Sequence, residues 1–178
     1  GWTAETSMAT SANGCHEADV ALSGQNVHII YTNQSSSGSA LYYIRSTDGG
    51  RSFDAPALIT PQDSWASEAR LAVSGNKVRV VFEDTRTGIW RIYYKASTDN
   101  GQTWSSDVLI SNSLVDSYRP DVCCSGDTVH VIWNTGYRRS TDGGSTWDAI
   151  NTSVTGRAIA CGGNKVYVVK LENVSGTY

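Results

Sequence analysis

The 178-residue sequence predicts an all-β fold, a β-propeller of about four blades, each a four-stranded antiparallel sheet. Three observations predict it. A polar motif closed by an aromatic residue occurs three times, a motif closed by glycine occurs four times in step with it, and short alternating segments rich in β-branched residues lie between them. Units of about 40 to 50 residues with four short strands are typical of propeller blades. No window has the periodicity of an amphipathic helix.

The polar motif has the form Ser-Thr-Asp-x-Gly-x-x-aromatic and occupies residues 46–53, 97–104 and 140–147. An aspartate in a tight turn accepts hydrogen bonds from the following backbone N–H groups, and glycine tolerates the positive φ that such a turn needs. The aromatic residue is expected to pack back between sheets. Each motif should therefore join the third strand of a blade to the fourth. The residues expected to have this structural role are Ser46, Asp48, Gly50, Phe53, Ser97, Asp99, Gly101, Trp104, Ser140, Asp142, Gly144 and Trp147.

The glycine-closed motif marks the first strand of each unit and sets the repeat length. Its glycines are Gly24, Gly75, Gly126 and Gly163, at intervals of 51, 51 and 37 residues. The third unit is therefore shortened, and its spacing to the polar motif places the shortening in two loops. The predicted single domain spans 1–178, with blade 1 at about 17–60, blade 2 at about 68–111, blade 3 at about 119–152, and blade 4 at about 157–178 together with 2–9.

The two ends of the sequence supply complementary parts of one blade. Trp2 precedes Gly24 by 22 residues, the same interval as from Phe53 to Gly75. The segment Trp2 to Met8 should therefore be a fourth strand, and Val174 to Tyr178 the start of a third. Three ways of completing this split blade stay open: a ring closed within one chain, a homo-oligomer whose chains share blades, and a fragment of a longer propeller. An unpaired strand edge favours association.

The form Ser-x-Asp-x-Gly-x-Thr-Trp resembles the Asp-box, also called the bacterial neuraminidase repeat. Proteins with this repeat include sialidases, other glycoside hydrolases, lectins, sorting-receptor ectodomains and exported prokaryotic proteins of unknown role. The resemblance covers nearly the whole chain. It implies a sialidase-like propeller with the Asp-boxes at the rim, away from the binding face.

Composition narrows the classes of partner. The net charge is −3 and 39% of the residues are hydrophobic, which gives no bias toward nucleic acid or anionic membrane. The sequence has no membrane-spanning segment, and its His and Cys spacing offers no zinc site, so no membrane insertion, metal or cofactor is expected. Together with the resemblance, the composition favours a secreted or cell-surface protein.

Cysteine residues fall on the predicted innermost strands. Cys123, Cys124 and Cys161 lie on those of blades 3 and 4, and Cys15 precedes blade 1. Buried free thiols are the favoured interpretation, because neighbouring residues on a strand face opposite sides. A bridge from Cys123 or Cys124 to Cys161 is the alternative, and the disulfide state stays open.

One face of the predicted propeller concentrates polar and aromatic residues. The loops from the second strand to the third, and from the fourth to the next first strand, share this face, opposite the polar turns. Stacking and bidentate hydrogen bonds there could hold a polar ligand, so a glycan or a protein surface is the expected partner. The candidate binding residues are Trp65, Glu68, Asp84, Arg86, Trp90, Tyr118, Arg119, Tyr137 and Arg157.

The alternative function is a sialidase-like glycoside hydrolase or a fragment of one. The resemblance implies an arginine cluster for the sugar carboxylate, a tyrosine with a nearby glutamate as nucleophile, and an acidic proton donor. The residues available for these roles are Arg86, Arg119 and Arg157 with Tyr118 or Tyr137 and Glu68. The arginine motif that precedes the first blade of sialidases is absent, and four blades fall short of their six. We therefore expect a binding or scaffold module rather than an enzyme, and assign no catalytic residue.

Overall fold

The computed structural model describes residues 7–9, 14–62, 64–112, 114–163 and 165–171. In these ranges the chain forms strands and no helix, so no described helix could cross a membrane. The strands are β1 (Cys15–Ser23), β2 (Asn26–Ser35), β3 (Gly38–Ser46), β4 (Ala57–Leu58), β5 (Ser67–Ser74), β6 (Lys77–Asp84), β7 (Arg91–Ser97), β8 (Val108–Leu109), β9 (Asp121–Ser125), β10 (Thr128–Trp133), β11 (Gly136–Ser140), β12 (Ala158–Gly162) and β13 (Lys165–Val169).

Consecutive strands form four antiparallel sheets. The first two have the orders β1-β2-β3-β4 and β5-β6-β7-β8. The third contains β9, β10 and β11, and an isolated bridge between Tyr137 and Asn151 stands where its fourth strand would pair. The fourth contains β12 and β13. The predicted all-β propeller of about four blades is confirmed, and we number the blades in this order.

The blades pack face to face through their first strands. Strand β1 packs against β5, β5 against β9, and β9 against β12. Each pair of neighbouring blades encloses an apolar core. Leu41 and Phe82 belong to the core between blades 1 and 2, Tyr94 and Trp133 to the next, and Ile159 to a smaller third one. The burial of apolar surface between successive sheets is therefore what holds the blades together.

Aromatic pairs link the second and third polar turns to the preceding blade. Trp104 meets Tyr43 edge to face with ring centroids 4.9 Å apart, and Trp147 meets Tyr94 in the same way at 5.0 Å. Edge-to-face packing is one of the two favoured arrangements of aromatic pairs. A Cβ atom on Gly144 would lie only 2.2 Å from the Tyr94 ring. Glycine is therefore required there by the close approach of the neighbouring blade.

Hydrogen bonds within the polar turns repeat from blade to blade. In the second turn the Ser97 hydroxyl donates to Asp99 Oδ1 at 2.8 Å, and the Gln102 and Thr103 N–H groups donate to the same oxygen at 3.0 and 2.9 Å. The Thr103 hydroxyl donates to Asp99 Oδ2 at 2.5 Å. Asp48 and Asp142 accept the corresponding bonds. Each carboxylate thus holds one turn closed.

The described residues form an open arc rather than a closed ring. Strand β12 does not pack against β1 as neighbouring first strands do. Val20 and Leu22 on β1 are 56% and 67% exposed, and all of β13 is exposed. Most of the predicted strand at Trp2 to Met8, and the one at Val174 to Tyr178, lie outside the described residues. How the split blade is completed therefore stays a prediction.

Candidate functional site

Two adjoining cavities open on the face opposite the polar turns. Each has a volume of about 400 Å³. The first is lined mainly by His16, Glu17, Thr32, Ser39, Trp65 and Trp90, and the second by Glu68, Glu83, Tyr118, Arg119 and Asn134. The rings of Trp90 and Tyr118 lie 6.1 Å apart, and Glu68 N–H donates to Glu17 Oε2 at 2.8 Å. The two cavities thus share a wall, and together they are called the loop-face cleft.

Three aromatic side chains, those of Trp65, Trp90 and Tyr118, line the cleft. Trp65 is 46% exposed, while Trp90 and Tyr118 are half-buried. The Trp90 N–H donates to Asp116 Oδ1 at 2.8 Å. Tyr118 N–H donates to Asn134 Oδ1 at 2.7 Å, and Asn134 N–H returns a bond to the Tyr118 carbonyl at 3.1 Å. Hydrogen bonds to Asp116 and Asn134 therefore fix the backbone of Trp90 and Tyr118.

Residues with positive φ recur where the first strands begin. Glu17, Glu68 and Arg119 have φ values of 52°, 47° and 55°, and they lie 51 residues apart. A residue other than glycine adopts this left-handed conformation at a cost, and such residues concentrate at functional sites. The Arg119 N–H donates to Glu83 Oε2 at 2.9 Å, which holds it in place. Trp65, also in the cleft, has a φ of 57°.

The cleft carries more negative than positive charge. Glu17, Glu68 and Glu83 face it together with one guanidinium, that of Arg119. Burial raises the pKa of Glu83, and Glu68 and Glu17 add to the rise, while the Arg119 N–H hydrogen bond opposes it. Mutual repulsion of these carboxylates makes the cleft a poor host for an anion and a better one for a neutral polyol.

Asp84 and Arg86 are engaged inside blade 2. The Arg86 guanidinium donates to Asp84 Oδ2 and, at 2.7 Å, to Asp107 Oδ2. It also lies 4.6 Å from the centroid of the Tyr93 ring. Asp84 is fully buried and its other oxygen accepts the Arg86 N–H at 2.6 Å. These contacts fix the loop after β6, and neither residue lines the cleft.

Tyr137 and Arg157 also lie apart from the cleft. The Tyr137 hydroxyl forms a 2.7 Å hydrogen bond with His130 Nδ1, and its ring packs beside Ile132 between blades 3 and 4. The same kind of hydrogen bond joins the Tyr43 hydroxyl and His28 Nδ1 in blade 1. Arg157 directly precedes β12, and its N–H donates to the Val169 carbonyl of β13. The candidates that the structure brings together are Trp65, Glu68, Trp90, Tyr118 and Arg119.

Two aspartates that the sequence analysis did not single out join successive blades. Asp19 Oδ2 accepts the Leu71 N–H of blade 2 at 2.9 Å, and Asp121 Oδ2 accepts the Ile159 N–H of blade 4 at 2.7 Å. Both aspartates also accept the N–H of the next residue. They occupy the same repeat position 102 residues apart, so recurrence alone could have identified them.

A larger groove of about 540 Å³ lies on the opposite side, between the turns of blades 2 and 3. Trp104, Thr103 and Gly143 line it. The Asp99 and Asp142 carboxylates beside it already accept bonds from their own turns. The groove is thus a seam between structural turns. Among the described residues, no group of three or more His, Cys, Asp or Glu side chains is placed to hold a metal ion.

Comparison with known proteins identifies solved structures of similar fold. No protein-family model matches the chain, and no curated protein sequence matches it. Trypanosoma rangeli sialidase in complex with sialic acid superposes with a TM-score of 0.56 at 13% identity, over 85% of this chain and 33% of that chain. A mutant of that sialidase displaying trans-sialidase activity gives 0.58 at 14% identity, with the same coverage.

The catalytic domain of the Coprinopsis cinerea GH62 α-L-arabinofuranosidase is also similar. It superposes with a TM-score of 0.51 at 13% identity, over 82% of this chain and 52% of that one. The chain spans about one third of the length of the sialidases that it matches. Likeness at such identities concerns the fold alone. What the comparisons establish is that this chain has a sialidase-like β-propeller fold.

Proposed function

We propose that the chain is a carbohydrate-binding propeller module that holds a glycan in the loop-face cleft. The observation that carries the proposal is the row of Trp65, Trp90 and Tyr118 beside the carboxylates of Glu68 and Glu83. The apolar C–H face of a sugar ring packs against an aromatic ring, and sugar hydroxyls donate to carboxylates. A cleft that offers both kinds of contact suits a glycan better than a purely apolar ligand.

The charge of the cleft favours a neutral glycan. Glu68 pairs with Arg70 at 3.4 Å, but the three carboxylates of Glu17, Glu68 and Glu83 still outnumber the two guanidinium groups of Arg70 and Arg119. A sugar carboxylate would meet repulsion that uncharged hydroxyls would not. Neutral oligosaccharides are therefore expected to bind more tightly than sialylated ones.

The polar turns are, in this proposal, Asp-box repeats that brace the scaffold and take no part in binding. Their recurring serine and aspartate bonds, and their place opposite the cleft, support this assignment. The proposed blades keep the boundaries predicted from the repeat. A secreted or cell-surface location is part of the same proposal. Completion of the split blade by a second copy remains part of the proposal.

A sialidase-like glycoside hydrolase, or part of one, is the second candidate. The fold likeness to a sialidase favours it. Glu68 and Glu83, which share one cavity, would be its carboxylate pair. Arg86 could not serve the sugar carboxylate, because Asp84 and Asp107 occupy its guanidinium. Hydrolysis of fluorogenic glycosides by the wild type, abolished in Glu83→Gln, would support this candidate over simple binding.

A glycan array tests the binding function. The wild type should bind neutral oligosaccharides, and a double variant with Trp65→Ala and Trp90→Ala should bind them at least about 10-fold more weakly, a loss of about 1.4 kcal/mol. Tyr167→Ala is the matched control, because Tyr167 is an exposed aromatic residue on β13, outside the cleft. Unchanged binding by the double variant, or capture of a protein and no glycan, would contradict the proposal.

A further inference from the structure

Side chains of the first strands meet in pairs between neighbouring blades. Ala21 of blade 1 and Val73 of blade 2 pack on the same interblade core. Ala72 of blade 2 and Cys124 of blade 3 do so at the next interface. Because successive residues of a strand face opposite sides, one position of each first strand faces the next blade and the following position faces the previous one. The pairing is therefore a property of the repeat.

At the third interface the repeat places two cysteines opposite each other. Cys123 occupies the position of Ala21 and Ala72, and Cys161 occupies the position of Cys124, 37 residues earlier. Cys123 and Cys161 accordingly share the core between blades 3 and 4, whereas Cys124 faces blade 2. The geometry thus selects one pair from the cysteines of blades 3 and 4.

The two thiols of this pair lie in the same small core. Cys123 is 8% exposed and belongs to this core together with Ile159, and Cys161 packs against it. Their strands, β9 and β12, are packed neighbours. Both thiols are free in this structure, so the pair is in its reduced form.

In the part of the chain that the structure describes, blade 4 has less packing around it than the other three blades. Blade 4 has two described strands, and every residue of β13 is exposed. Its apolar core with blade 3 is also smaller than the other two cores. A covalent link at this interface would therefore stabilise the blade that, among the described residues, has the smallest apolar core with its neighbour.

We propose that Cys123 and Cys161 are a site of disulfide formation that joins blade 4 to blade 3. The oxidant is a small-molecule disulfide such as oxidised glutathione. The Cys161 thiolate attacks one of its sulfurs and releases one glutathione thiolate, which leaves a mixed disulfide on Cys161. The Cys123 thiolate then attacks the Cys161 sulfur and releases the second glutathione thiolate. Two thiols are oxidised, one external disulfide is reduced, and the two protons pass to the released glutathione.

The environment of the thiols determines the order and the pH dependence of these steps. Cys161 is more exposed than Cys123, so its thiolate is the one that first attacks the external disulfide. Burial raises the pKa of Cys123, and its contact with Cys161 raises it further. Only the thiolate is reactive, so closure of the disulfide should become faster as the pH rises. Burial also raises the pKa of Cys124, to about 11, and Cys124 faces away from the pair.

The test uses the full chain, reduced and then incubated with oxidised glutathione at pH 8. Free thiols are alkylated and the protein is analysed by intact mass and peptide mapping. The expected product has lost about 2 Da, the mass of two hydrogens, and contains a cross-link that resists alkylation. Cys124→Ala and Cys15→Ala should give the same cross-link, whereas Cys123→Ala and Cys161→Ala should give none. The melting temperature should be higher for the oxidised than for the reduced wild type.

Several outcomes would overturn the proposal. One is complete alkylation of the oxidised wild type, or glutathione adducts that never resolve into a cross-link. Another is loss of the cross-link in Cys124→Ala, which would place the bond on the wrong thiol. If Cys123→Ala fails to fold, fragmentation of the cross-linked wild-type peptide locates the bond directly at Cys123 or at Cys124, so the result is still decisive.

Discussion

Asp99 illustrates how a single carboxylate determines the shape of a turn in this chain. Its two oxygens accept bonds from Thr103 and Gln102 N–H groups and from the hydroxyls of Ser97 and Thr103. The Thr103 hydroxyl contributes most to lowering the pKa of Asp99, to about 2. The same pattern lowers the pKa of Asp142 to about 2. These carboxylates are therefore charged whenever the protein is folded near neutral pH.

Replacing Asp99 with alanine should lower stability and leave glycan binding intact. The turn amides lose their acceptor, so the melting temperature should fall by roughly 5 °C in a calorimetric scan. Asp148→Ala is the control, because Asp148 forms an exposed ion pair with Arg139 near another turn. It should change the melting temperature little. Weaker binding at an unchanged melting temperature would show that Asp99 belongs to the binding site.

His28 gives the chain a pH dependence of stability in the acid range. It is fully buried, and burial, followed by the charge of Arg45, lowers its pKa from 6.5 to about 4. Its Nδ1 is bonded to the Tyr43 hydroxyl, and its Nε2 has no partner among the described residues. A proton on this ring would therefore place an unpaired charge inside blade 1.

The pKa of His28 is depressed on folding, so the unfolded chain binds more protons between pH 6.5 and pH 4. The free energy of unfolding should be highest above pH 6.5 and should fall as the pH approaches 4. Urea unfolding at several pH values measures this slope. His28→Gln should reduce it, and His16→Gln, which alters an exposed histidine, should not. An equal slope in His28→Gln would contradict the assignment.

At the scale of the element, the first three strands of blades 1 and 2 could be predicted from local sequence. The strands β1 to β3 and β5 to β7 lie where alternation and the turn motifs predict them, because strand pairing across tight turns is decided locally. The fourth strands could not be placed as well. Strands β4 and β8 have two residues each, and blade 3 keeps one bridge at Asn151. Their length depends on pairing with the blade rather than on their own sequence.

Gly144 shows which glycines the packing of blades requires. Its φ is +93° and a Cβ atom would lie 2.2 Å from Tyr94 of the previous blade. Gly126 has a φ of +59°, and no atom lies within 4 Å of its Cβ position. A side chain at this position would therefore meet no neighbour, and only the unfavourable φ would destabilise the protein. Gly144→Ala should destabilise by about 3 kcal/mol, and Gly126→Ala by about 1 kcal/mol. Chemical denaturation of both variants measures the difference, and equal losses would show that the contact with Tyr94 is unimportant.

The whole molecule creates a cleft that no blade contains alone. Glu17 comes from blade 1, Trp90 from the loop that follows β6, and Tyr118 from the entry to blade 3. The proposed binding therefore requires the stacking of three blades, which Asp19 and the interblade cores maintain. Loss of this stacking should abolish binding even if single blades stay folded.

The cleft could be predicted from sequence only in part. Loop order places Trp65, Trp90 and Tyr118 on one face, because the topology of a propeller decides which loops share it. The ion pairs that keep Arg86 out of the cleft could not be predicted, because its partner Asp107 lies 21 residues away in another loop. The hydrogen bond between Tyr137 and His130 likewise holds Tyr137 away from the cleft. Such contacts depend on side-chain packing, which the spacing of residues in the sequence does not reveal.

The most direct test of the binding face is nuclear magnetic resonance of the indole N–H groups, titrated with the strongest array glycan. The chain has six tryptophans, and among those that the structure describes Trp65 and Trp90 line the cleft. The signals of Trp65 and Trp90 should shift on titration while those of Trp104 and Trp147 stay in place. Shifts confined to Trp104 and Trp147 would place binding at the polar turns and contradict the proposed binding face.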